Sequence, residues 1–258
     1  MKKSSNHNQT IVKQFTLQAK PFSELLGHSQ SMQMLIDLSS VSRKDDVLDV
    51  ACGPGIVACE FSKYSNRVSG IDITPQMISQ AMERQNKNSL INIDWKVGDV
   101  TDLPYNDTMF SIVLTRYSFH HFLHPKSVLN EMIRVCKPGG TVMVIDVVQP
   151  PEKAEKYDRL EIIRDPSHVH ALSTVEMGEL FNQSGLIEMK TAMYKADFEL
   201  NAQLLASFPN PGDEIKIRNM VTDDIGKNEL GIDARLVGNE VHYSVPIMII
   251  AGKVRPTR

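Results

Sequence analysis

The chain has 258 residues, 41% of them hydrophobic and 23% charged, with a formal net charge of −3. That is enough to bury a sizeable core as one α/β domain with insertions, and no Lys/Arg block longer than a pair offers a nucleic-acid groove or a polybasic membrane patch. Cys52, Cys59 and Cys136 lack metal-ligand spacing, and neither a signal peptide nor an apolar run of transmembrane length is read, so a reduced, cytoplasmic protein with a small-molecule partner is expected.

Met1 to Asn8 is polar and reads as a loose start. From Gln9 to Ser40 the apolar residues Ile11, Phe15, Leu17, Leu25, Leu26, Met32, Leu35 and Ile36 recur at helical spacing, with Pro21 dividing two pieces. Residues 1–40 are therefore expected to form lid helices, and residues 41–258 the main domain. Phe15 or Phe22 either lines the mouth beneath the lid or packs the lid onto the body.

Val47 to Ala58 reads as strand, tight turn and helix. Gly53 and Gly55 permit positive φ and close approach of a ligand to the backbone, and the free N–H groups of the following helix face that ligand. The spacing Gly53-x-Gly55-x-x-Ala58 satisfies the dinucleotide pattern. Asp49 argues against a pyrophosphate, because its carboxylate repels phosphate and attracts a sulfonium or ammonium group such as those of S-adenosylmethionine. Alternatively, Asp49 is a satisfied buried acid that pins the loop through backbone N–H groups.

Arg67 to Ile71 is a second strand closed by Asp72, at about the 20-residue spacing from the glycine turn's strand at which an acid accepts ribose hydroxyls. Thr74 and Pro75 start a helix whose Met77 either touches an adenosine or packs the core. Ile91 to Val97 is a third strand followed by Gly98-Asp99-Val100, where Asp99 suits an adenine amino group and Val100 offers a backbone N–H. Phe110 to Leu114 is the fourth strand. Asp49, Asp72 and Asp99 then share the rim where ligands of open parallel sheets bind.

The fourth strand empties into Thr115 to His124, a loop holding Arg116, Tyr117, His120, His121 and His124. The cluster points to at least one functional imidazole, and without an acidic partner at ligand spacing no metal is expected. Pro125 opens a helix with a buried stripe, Lys137-Pro138-Gly139-Gly140 ends it, and Thr141 to Val147 is the fifth strand. Asp146 within it faces a substrate or pairs with Arg116.

VLDVACGPG, the acid in SGIDIT, GDV, TRYSFHHF and KPGG together resemble the class I S-adenosylmethionine-dependent methyltransferases over about Lys44 to Val148. More narrowly the chain is similar to the ubiquinone/menaquinone-methyltransferase-like branch and its bacterial YcgJ-type group, through the Arg116 to Phe122 loop and Arg164-Asp165-Pro166-Ser167-His168. The resemblance implies an α/β, Rossmann-like seven-stranded sheet, mostly parallel with an antiparallel C-terminal strand and helices on both faces. It implies S-adenosylmethionine held by Asp49, Ala51, Gly53, Gly55, Asp72, Ile73, Met77, Asp99, Val100 and Arg116, with Ala51 where the family has its first glycine. S-adenosylhomocysteine would be the product, and the acceptor a small molecule methylated on O, N, S or an activated carbon.

Beyond Pro150 the segments at about 150–172 and 200–230 are expected to cover the substrate. Asp165 and His168 orient one another or Asp165 caps the next helix; Ser173 and Glu176 start a helix, and Leu186 to Tyr194 is a sixth strand. Gly238-Asn239 signals a hairpin whose return strand carries Pro246, where a bulge or shifted pairing is expected. His121 or His168 is the expected general base, with His120 and Arg116 shaping the pocket. A protein that binds the nucleoside without methylating is the alternative, a nicotinamide dehydrogenase is disfavoured by Asp49, and a homodimer is left open.

Overall fold

The computed structural model describes residues 2–24 and 31–256, and the side chains of 6–21 and 31–256 within them. Phe22, Leu25 and Leu26, assigned to the lid, therefore fall outside the described side chains.

The strands β1 (Asp46–Val50), β2 (Arg67–Asp72), β3 (Ile93–Val97), β4 (Phe110–Arg116), β5 (Cys136–Val147), β6 (Ile187–Glu199) and β8 (Glu240–Lys253) form one sheet in the order β3-β2-β1-β4-β5-β8-β6. The first five run parallel, while β8 is antiparallel to β5 and to β6. A short β7 (Arg235–Val237) pairs with β8 as the hairpin arm signalled by Gly238, whose φ is 62°.

The central strands read as continuous apolar runs because both faces are covered. Val47, Ile112, Leu114, Met143 and Ile145 face one core with α2 (Met32–Ser39), α3 (Ile56–Phe61), α6 (Pro151–Arg164) and α9 (Asp213–Asp223). Their neighbours Leu48, Val113, Val142 and Val144 face the other, with α5 (Pro125–Val135) and α7 (Thr174–Asn182). This alternation is the period of two that a strand imposes on its side chains. α4 (Pro75–Lys87) follows β2, α8 (Leu200–Ala206) follows β6, and a capping box between Ser173 and Glu176 starts α7.

Three local expectations are corrected. The first helix, α1 (Lys2–Glu24), includes the polar start and runs through Pro21, because Gln14, Gln18 and Ala19 are buried and hold the segment against the body. Pro246 causes no register shift: Lys195 pairs with it in β6, and the irregularity lies between Ile187 and Lys190. The backbone N and C=O of one residue face the same neighbour in an antiparallel ladder. Pro246 accepts from Val148 N where β5 ends, so its missing N–H falls just beyond that ladder.

Candidate active site

The turn after β1 is built from residues in the left-handed region, Ala51, Gly53 and Gly55 at φ 55°, 50° and 74°. Gly55 is required by space as well, since a Cβ there would stand 2.7 Å from Trp95 Cη2 and 2.9 Å from Ala81 Cβ. At Gly53 a Cβ would meet nothing within 4 Å, and the residue borders a cavity.

That cavity holds about 1060 Å³ of empty space, its open mouth included. Ala51, Gly53, Asp72, Ile73, Met77, Asp99, Val100 and Arg116 all line it, beneath a roof of His7, Asn8, Ile11 and Phe15 from α1. Asp49 and Gly55 are not on its wall. Asp49, almost fully buried, accepts from Ala58 N at 3.0 Å and so holds the start of α3. Burial, with Asp72 nearby, pushes its carboxyl up to about 8.

Asp72 receives Gly53 N on one oxygen at 2.9 Å and Thr74 N on the other at 2.8 Å, which leaves each oxygen a further lone pair. Asp99 accepts from the backbone N and hydroxyl of Thr101 and, at 2.7 Å, from Asn8 Nδ2. The lid is thereby tied to the rim, and His7 Nε2 adds a second tie by donating to the His121 carbonyl at 2.7 Å.

A second cavity of about 620 Å³ adjoins the first and shares Phe15, Tyr117 and His121 with it. Its other walls are His120, Tyr157, Glu161, Arg164 and Asp165 around α6, Phe198, Gln203, Tyr243 and the ends of β5 and β8. Arg164 is ion-paired with Glu161 at 2.5 Å and donates to Ser207, so its charge is balanced inside the fold.

The imidazoles are sorted by their partners. Asp146 does not pair with Arg116; it receives His120 Nδ1 at 2.5 Å and the backbone N–H groups of Ser118, Phe119 and Val147. Burial alone would lower the His120 pKa, but the Asp146 charge and hydrogen bond outweigh it and the net shift is upward. His121 Nδ1 donates to the Ser167 carbonyl and Oγ at 3.0 and 3.2 Å, and Ser167 Oγ donates to Asp165 at 2.6 Å. Burial and the neighbouring His120 charge push His121 down to about 3, a neutral ring. Gln18 on α1 closes this chain by donating to the other Asp165 oxygen.

His168 lines neither cavity. Its Nε2 donates to Asp158 on α6 at 2.7 Å, so Asp165 orients His121 rather than His168. Val169 N and His170 N donate to the His120 carbonyl and dock this loop onto the histidine loop. Arg116 donates to Tyr117 and Tyr194 hydroxyls, each at 3.0 Å, and stacks on the Tyr117 ring at 4.4 Å. Tyr194, Gln18 and Asn8 carried no signal in the sequence, because each acts across elements far apart in the chain; Asp158 is only 10 residues from His168, but as one of several charged residues on α6 it stood out no more than its neighbours. Among the described residues no group of three His, Cys, Asp or Glu is arranged to hold a metal ion, and no helix is long and apolar enough to cross a membrane.

A parallel sheet extended by antiparallel strands, with acids at the ends of β2 and β3 around a glycine turn, is the fold of the class I S-adenosylmethionine-dependent methyltransferases, and residues 48–144 match the family model of a methyltransferase domain. The chain is 28% identical over 165 residues to the uncharacterized methyltransferase YcgJ of Bacillus subtilis, covering 63% of this chain and 65% of that protein. It is 33% identical over 124 residues to the ubiquinone/menaquinone biosynthesis C-methyltransferase UbiE of Bdellovibrio bacteriovorus, covering 47% and 52%. The crystal structure of the Bacillus YcgJ protein superposes with a TM-score of 0.79 at 23% identity, over 89% of this chain and 99% of that one. The aligned segment spans less than two thirds of each of these two curated relatives.

Proposed function

We propose that the chain transfers a methyl group from S-adenosylmethionine to a small-molecule acceptor that gives up a proton. The single observation that carries this reading is the pair of adjoining cavities. One is rimmed by the glycine turn, Asp72 and Asp99, and the other by His120, with Phe15, Tyr117 and His121 common to both.

The first cavity fits the cofactor. The missing side chain at Gly53 leaves the backbone open to close approach, the Asp72 oxygens have lone pairs for two ribose hydroxyls, and Asp99 with Val100 stands beside the space for adenine. Bound there, S-adenosylmethionine supplies an electrophilic methyl group on a sulfonium. Arg116, held by two tyrosines, presents a cation to a carboxylate in the same cavity.

In the second cavity His120 is the base. With Nδ1–H committed to Asp146, its Nε2 carries the lone pair, and the raised pKa suits proton abstraction near neutral pH. His121 is too weak a base for that task and His168 is out of reach, so their part is to fix the pocket. The aromatic walls and the lid exclude water and align the acceptor, effects that supply about 7–11 kcal/mol in such displacements. Calorimetric titration with S-adenosylhomocysteine, with NAD as control, tests the reading. Binding of the first compound alone, followed by methyl transfer in an acceptor screen with labelled donor, is expected; preferential NAD binding overturns it.

A further inference from the structure

We propose that Gln203, Tyr157 and Tyr243 form a polar subsite in the second cavity that reads an uncharged hydroxyl of the acceptor, distinct from the atom that is methylated; the purpose of this subsite rests on the methyl-transfer reading. The starting point is α8. Its buried stripe is Leu200, Gln203 and Leu204, so an amide stands where core packing would place an apolar side chain. Gln203 is 8% exposed and lines the cavity, and its Oε1 is buried with no hydrogen-bond partner among the described residues. An amide left in that state is costly unless it has a use.

The backbone beneath the amide is fixed. Gln203 O accepts from Ser207 Oγ at 2.8 Å, and Ser207 Oγ accepts from Arg164 Nη1 at 3.0 Å, which ties α8 to α6. The amide itself turns about a soft last torsion, so it can offer a ligand its oxygen or its N–H groups.

Tyr157, Glu161 and Arg164 follow at i, i+4 and i+7 on one face of α6 and line the same cavity, which Tyr243 enters from β8. Both tyrosines are buried, and neither hydroxyl has a hydrogen-bond partner among the described residues. Burial pushes both phenols up, so each keeps an O–H to donate and lone pairs to accept.

Charge decides what enters. Arg164 donates to Glu161 through Nε and Nη2 at 2.5 to 3.1 Å, so the one cation on this wall is already neutralised. An anionic group would lose its water without gaining a counter-charge, whereas a hydroxyl donates to Gln203 Oε1 and accepts from a tyrosine. Phe15, Tyr117 and Phe198 supply apolar wall for the body of the molecule. A site built to bond a hydroxyl rejects the analogue that lacks it, because its own polar groups are then left unpaired.

The test is calorimetric titration of the whole chain, loaded with S-adenosylhomocysteine, with three matched probe sets: hydroxymethylphenols, ethylphenols and hydroxybenzoates, each as ortho, meta and para isomers. In at least one isomer the hydroxymethyl compound is expected to bind about tenfold or more tighter than its ethyl counterpart, and tighter than the benzoate. Gln203→Met keeps the volume, and is expected to abolish that preference while raising the urea midpoint, because a buried unpaired amide is removed. Tyr243→Phe, which deletes one oxygen, is expected to cut the preference about threefold or more. Absence of binding by every probe, no preference for the hydroxymethyl compound in any isomer, a preference unchanged in Gln203→Met, or a lowered urea midpoint in that variant overturns the subsite. Failure to bind S-adenosylhomocysteine overturns the methyl-transfer reading instead, and the same probes titrated without it still decide the subsite.

Discussion

His120 and Asp146 are joined Nδ1 to carboxylate at 2.5 Å, with the acid held from behind by three backbone N–H groups of its own strand and the histidine loop. The acid therefore sets both the tautomer and the basicity of the imidazole that lines the second cavity.

From this pair follows a pH profile. His120→Gln is expected to lower single-turnover methyl transfer by about 10²- to 10⁴-fold. Asp146→Asn removes the charge that raises the His120 pKa, so the acid limb of the profile moves to lower pH while the plateau rate falls. Rapid-quench measurements across pH with an acceptor from the screen check both; a profile unmoved in Asp146→Asn contradicts the assignment.

Cofactor affinity tests the rim. Asp72→Ala deletes the acceptor for two hydroxyls and frees Gly53 N and Thr74 N, and is expected to weaken S-adenosylhomocysteine by about 3 kcal/mol, roughly a hundredfold. Calorimetry on wild type and variant reads this directly.

Ala51 holds φ at 55°, a conformation that costs a residue with a Cβ about 1–2 kcal/mol. Ala51→Gly relieves that strain and gives some back as unfolded-chain entropy, so a net gain of about 0.5–1 kcal/mol is expected. Urea unfolding is the measurement, and a loss of stability would mean that the Ala51 methyl contributes packing that outweighs the strain.

Asp49 gives a stability signature with a defined sign. Burial raises its folded pKa to about 8, above the ordinary 3.8, so between those values the native state keeps a proton that the unfolded state has lost. This contribution is fully present below about pH 4 and is lost as pH rises through about 8. Asp49→Asn retains an acceptor for Ala58 N and removes the titration. The difference in unfolding free energy between variant and wild type is therefore expected to move in favour of the variant across that window, as denaturant melts at successive pH values would record.

Much of the rim was legible in the order of residues. The glycine turn, Asp72 and Asp99 are local signals, each an acid or a small residue at the end of an apolar run, and Ala51, Gly53, Asp72, Asp99 and Val100 all line the larger cavity. Asp49 takes the second of its two sequence readings, a buried acid that accepts from Ala58 N at the start of α3, and Gly55 makes room for Trp95. Pro21 and Pro246 show why breakers are weak guides inside a packed fold: burial of α1 holds the first, and the end of a ladder excuses the second.

The sequence by itself determined the sheet and the acids and glycines at the rim of the larger cavity, because apolar periodicity and turn chemistry act over a few neighbouring residues. Only the tertiary structure decided which partner each imidazole meets. His120 meets an acid 26 positions away, His121 a serine 46 positions away and His168 an acid on the preceding helix. Hydrogen-bond partners at such separations are chosen by the packing of α6 and the histidine loop against the sheet, and basicity follows from that choice.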